Sequence, residues 1–107
     1  MRQDRLTPNV SSPLSRSNSA AEPTACFSIH AEADPGVMPR VLELFAKRGL
    51  IPRRWHSDLE DEASPRPGLT IDLQVTDLDL QQVNHVAASL RGMVSINSVL
   101  TSEKLYA

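Results

Sequence analysis

Asp34-Pro35-Gly36 stands directly before a run in which Met38, Val41, Leu42 and Phe45 recur at helical spacing, and here the sequence offers a binding chemistry. A helix N-terminus presents backbone N–H groups with no intrahelical acceptor and the positive end of the helix dipole, so it attracts an anion. Gly36, lacking a Cβ, would let a ligand approach the backbone closely. The same three residues are also ordinary punctuation before a helix, because each favours a turn for its own reason.

The other chemically capable residues do not assemble into a set. His30 and His56 fall on two strands that are not expected to be neighbours, and His85 falls on a helix, so no metal site is expected. Cys26 is the only cysteine, which excludes an internal disulfide and a Cys-rich metal centre. Nothing near it in sequence would activate its thiol. Asp58, Glu60, Asp61 and Glu62 lie in or beside a polar loop, without the burial that would raise a carboxyl pKa into the range of a general acid. Arg53 and Arg54 either meet an anionic partner or discourage edge-to-edge pairing, and Trp55 either packs under a corner or anchors a subunit contact. No catalytic residue and no cofactor are expected.

These residues must be held by regular elements, and the alternation patterns predict six. From Ala25, Phe27, Ile29 and Ala31 alternate with Ser28, His30 and Glu32 as a half-buried strand. A helix beginning near Val37 tolerates Pro39 in its first turn and closes at Lys47-Arg48-Gly49. Ile51, Trp55 and Leu59 share one face of a second strand, and Pro52 near its start suits a sheet edge. After an exposed connection from Glu60 to Gly68, Leu69, Ile71, Leu73 and Val75 alternate with polar residues in the clearest strand of the chain. Asp79 and Gln82 have capping-box spacing ahead of a stripe of Leu80, Val83, Val86, Ala87 and Leu90, which Gly92 ends. Val94, Ile96 and Leu100 then predict a fourth strand.

The order βαββαβ, folded with right-handed crossovers, predicts an α+β, ferredoxin-like domain: a four-stranded antiparallel sheet with both helices on one face. Residues 1–24, rich in serine and proline, are expected to be a disordered tail, residues 25–102 the domain, and residues 103–107 a polar end. A formal net charge of −2 over 107 residues gives no field to gather nucleic acid or an anionic membrane. No apolar run nears the roughly 20 residues of a membrane span, and no secretory signal precedes the domain, so a soluble cytoplasmic protein is expected. So small a core predicts self-association as a homodimer.

Other uses of this element order fit the residues poorly. The third strand offers Thr70, Asp72, Gln74 and Thr76 where an RNA-binding sheet needs aromatics. One cysteine cannot form a soft-metal pair, and Asp34 would repel a phosphate from the loop after the first strand.

Pro35-Gly36, Arg40-Val41, Leu44-Phe45 and Arg48-Gly49 together resemble the signature of ACT domains at the first strand–helix junction, and most closely that of the short, single-domain small subunits of acetolactate synthase. The resemblance implies a non-catalytic regulatory module. It would dock on a large catalytic subunit in branched-chain amino-acid biosynthesis, with possible binding of a small amino-acid effector, or act alone as an amino-acid-sensing homodimer. Carried over residue by residue, it implies effector contacts at Asp34, Pro35, Gly36, Val37, Met38 and Ile51, while the edge position of the second strand and its Pro52 suggest a subunit contact at Pro52, Arg53 and Trp55. Where effector-sensing members carry polar side chains, this chain has Ala33 and Ile51, and Pro39 removes one helix-start N–H.

Overall fold

The structure, a computed structural model, describes residues 22–106. Six elements follow one another: β1 (Glu22–Glu32), α1 (Val37–Lys47), β2 (Arg54–Glu60), β3 (Gly68–Thr76), α2 (Leu80–Arg91) and β4 (Ile96–Tyr106). The strands form one sheet in the order β2-β3-β1-β4, every neighbouring pair antiparallel. This is the expected ferredoxin-like arrangement, with β2 and β4 at the two edges.

Alternation along β1 and β3 explains which face is covered. Phe27, Ile29, Leu73 and Ile71 point to the same side and are buried against Val37, Val41 and Phe45 of α1 and Val86, Ala87 and Leu90 of α2. The rings of Phe27 and Phe45 meet edge to face, with centroids 5.7 Å apart and planes at 83°. Each such side chain removed from water contributes roughly 1.5–3 kcal/mol before the entropy of ordering is set against it. The opposite face is a polar surface, on which His56, Asp72, Ser28 and Leu100 form one row across the four strands.

Local signals place both helices. In α2 the capping box is complete: the Gln82 N–H donates to Asp79 Oδ1 at 2.8 Å, and the Asp79 N–H donates to Gln82 Oε1 at 3.0 Å. α1 begins at Val37, so Pro39 lies in the first turn, where its missing donor breaks no helical bond. At its far end Gly49 takes φ 71°, the left-handed conformation in which glycine is least strained.

Five expectations are corrected. β1 already includes Glu22, Pro23 and Thr24, and β4 runs beyond residue 102 to Tyr106, because the two strands pair from Glu22–Tyr106 onward. Residues 22–24 and 103–106 contain no run of alternating apolar residues from which such a backbone ladder could be read. The rest of the expected N-terminal tail lies outside the described residues. β2 begins at Arg54, not near Ile51, so Ile51 is 85% exposed in the preceding loop.

The phase of β4 also differs. The ladder shifts at His30/Ala31, with Ser98 opposite His30 but Ile96 opposite Ala31, which makes Asn97 an extra residue. Past that irregularity Val99 turns into the core, whereas Leu100 is 63% exposed on the polar face and Val94 lies in the preceding turn. Finally, Leu42 and Leu80 fall at the margins of their apolar stripes and remain exposed.

The turn and groove at the start of α1

Asp34 organises the junction between β1 and α1. Its Oδ1 accepts the Gly36 N–H at 2.9 Å, its backbone carbonyl accepts the Val37 N–H at 2.9 Å, and its Oδ2 faces Arg40 Nη2 at 3.4 Å. The hydrogen bond from Gly36, and secondarily the one from Arg40, hold the Asp34 carboxyl below its ordinary pKa. The chain's own carboxylate therefore sits at the helix start, where an external anion would otherwise bind. Pro39 supplies no N–H, so the donors left for a ligand are few.

Gly36 has a local role here. Its φ of −77° is open to any residue, but a Cβ would come within 2.6 Å of Arg40 Nη1. Its smallness thus allows the guanidinium to lie across the turn and reach Asp34.

Beside the turn is an open groove of about 600 Å³. Pro35, Met38, Leu59 and Leu69 supply apolar walls, while Asp34, Asp58 and Glu62 supply three carboxylates, and none of the lining residues is basic. The groove exists because β2 runs antiparallel to β3 and ends at Glu60 opposite Gly68, while the Ala33 N–H donates to the Pro67 carbonyl at 3.2 Å. The end of β2 and the following loop are thereby drawn against the turn. Asp58 also meets His56 Nε2 at 2.9 Å on the exposed surface of β2.

Of the residues expected to contact an effector, Asp34, Pro35 and Met38 line this groove. Gly36 lies in the turn under Arg40, and Val37 is only 1% exposed, as part of the core. Ile51 is not brought to them. It follows the C-terminal end of α1, so the length of that helix separates it from the turn. Ser57, Asp58, Leu59 and Glu62 come there in its place. Their position could have been read from the sequence by counting β2 as a return strand, whose end lies beside the start of α1.

Of the expected subunit contact, Pro52 and Arg53 lie just ahead of β2, with the Arg53 N–H donating to the Gln74 carbonyl at 2.7 Å. Trp55, opposite buried Leu73, is half-buried against the core under the helices. Its indole therefore packs the corner, while Arg54, His56, Asp58, Leu59 and Glu60 of the same strand are exposed.

A groove of about 450 Å³ adjoins the other side of the turn, lined by Asp34, Arg66, Gly68 and Asn97, and a smaller one of about 290 Å³ lies at the other end of the sheet, between Leu78, Leu80 and Val83 on one side and Thr101 of β4 on the other. Among the described residues, no group of three His, Cys, Asp or Glu side chains is placed to hold a metal ion. No described helix is long and apolar enough to cross a membrane.

A model of the ACT-like domain family matches residues 17–106. Among solved structures, the chain is similar to the ACT domain of a GTP pyrophosphokinase from Chlorobium tepidum, at 15% identity over 74% of this chain and 96% of that one, with a TM-score of 0.62. It is also similar to the regulatory subunit of aspartate kinase from Thermus thermophilus, at 13% identity over 78% of this chain and 54% of that one, with a TM-score of 0.56. A homoserine dehydrogenase from Thiobacillus denitrificans matches at 16% identity over 78% of this chain and 17% of its own, with a TM-score of 0.56. At such identities the likeness is one of fold. A comparison with curated protein sequences finds no match. The family match extends from before β1 to the end of β4 and the sheet has the same architecture as these neighbours, so the chain belongs to the ACT-like domain family.

Proposed function

We propose that this chain is a non-catalytic regulatory module that works in the cytoplasm by docking on a partner protein, and that the partner is a large catalytic subunit of acetolactate synthase. The observation that carries the docking reading is the closed start of α1. The Asp34 carboxylate accepts the Gly36 N–H and its backbone carbonyl accepts the Val37 N–H, so the carboxylate of a free amino acid would have to displace a paired carboxylate from Gly36 and would find the Val37 donor already bonded. The choice of partner rests on the Pro-Gly, Arg-Val, Leu-Phe and Arg-Gly pairs of the α1 region.

Among the described residues the sheet has two edges, the outer sides of β2 and β4, where backbone groups can extend the sheet into another chain or a second copy. Size-exclusion chromatography of the purified chain with the catalytic subunit tests the proposal. Co-elution as a stoichiometric complex supports it, and separate elution at concentrations well above micromolar refutes that partner.

A second reading, an amino-acid-sensing homodimer, is favoured by the apolar walls of the groove, which could hold an aliphatic side chain. Thermal-shift titration with valine, leucine and isoleucine distinguishes the two, because a ligand confined to the folded state must raise Tm with concentration. A saturable shift supports sensing, and its absence leaves docking as the better account.

A further inference from the structure

The groove beside α1 combines apolar walls with an acidic rim and lacks any basic lining residue. The charge it would attract is present in the same chain. Residues 1–21 contain three arginines, Arg2, Arg5 and Arg16, against the single acid Asp4, a net +2, whereas residues 22–107 contain eight Lys and Arg against twelve Asp and Glu, a net −4. The overall charge of −2 thus divides into a basic leader and an acidic domain. Arg5 is followed by Leu6, an apolar side chain next to a cation, which matches a groove with a greasy wall below a carboxylate rim.

Reach permits the contact. The segment joins β1 at Glu22, and the groove lies past the other end of that strand. At about 3.3 Å per residue the 11 residues of β1 span roughly 36 Å. The 17 residues from Arg5 to Glu22 can extend to about 56–61 Å at some 3.3–3.6 Å each. Arg2 and Arg5 can therefore arrive with slack, whereas Arg16, six residues from the strand, cannot.

We propose that this groove is a docking surface for the chain's own N-terminal segment, with Arg2 and Arg5 on the carboxylates of Asp58 and Glu62 and Leu6 against Met38 and Leu59. Exposed ion pairs are individually weak and screened by salt, so the docked segment is displaceable. It competes with any partner or effector that uses the α1 turn. The proposal concerns the free chain and does not depend on which partner the domain serves.

Paramagnetic relaxation tests it in the full-length protein. A nitroxide is placed at Asn9→Cys in a Cys26→Ser background, and amide signals are compared with the label oxidised and reduced. The expected result at low salt is selective loss of signal at Asp58, Leu59, Glu62 and Leu69. The loss should disappear at high salt and in the Asp58→Asn/Glu62→Gln variant, whose unchanged amide spectrum elsewhere reports an intact fold. No localised loss, or loss centred on Leu80 and Val83 at the opposite end of the sheet, overturns the proposal. So does the same loss when the spin label and the isotope label are carried on separate, mixed copies, since the occupant would then be a second molecule.

Discussion

The carboxylate of Asp34 and the backbone N–H of Gly36, 2.9 Å apart, fill the start of α1 from within the chain. With the Asp34 backbone carbonyl accepting the Val37 N–H at 2.9 Å, it turns a helix terminus that could bind an external anion into a self-closed turn. It also makes the junction sensitive to the ionisation of Asp34.

Because the folded state holds the Asp34 pKa below the ordinary carboxylate value, the unfolded chain binds the proton more readily. Its contribution to stability is therefore complete above the ordinary carboxylate range and is lost as pH falls through the folded-state pKa. Thermal denaturation of the wild type and Asp34→Asn should show the wild type melting higher at neutral pH. The difference should shrink on acidification below about 4. A difference constant across that range would mean that Asp34 acts there through something other than its charge.

Phe45 is fully buried and packs edge-on against Phe27. Phe45→Ala should cost about 3–5 kcal/mol in urea denaturation, a large part of what a domain this small possesses. A double-mutant cycle with Phe27→Leu should give a coupling of roughly 0.5–1.5 kcal/mol, and additivity would show that the ring pair has no energy beyond burial.

The capping box of α2 predicts that Asp79→Ala lowers stability by about 1 kcal/mol, whereas Asp79→Ser retains most of it. Equal losses in both would place the role of Asp79 outside the Gln82 N–H bond at 2.8 Å.

The shifted ladder in β4 makes neighbouring apolar residues unequal, with Val99 buried and Leu100 exposed. Val99→Ala should destabilise the chain by about 1–2 kcal/mol, while Leu100→Ser should stay within about 0.5 kcal/mol in dilute solution. The reverse order would mean that the strand lacks the extra residue at Asn97.

Where side-chain periodicity decided an element, the chain alone was sufficient. Leu69, Ile71, Leu73 and Val75 specify a strand with one buried face, Val41 and Phe45 a helix, and Asp79 with Gln82 its neighbour's start, because each signal is local and repeats with the element's own geometry. The element order then left few topologies. Relations between distant residues were decided by the tertiary structure. The pairing of Glu22 with Tyr106 is a backbone event that no apolar alternation announces, and the irregularity at Asn97 resets which residues of β4 face inward. The composition of the groove was settled in the same way. Pro35 and Met38 were legible as parts of a turn and a helix, but only the return of β2 antiparallel to β3 brings Asp58 and Leu59 beside them and leaves Ile51 at the opposite end.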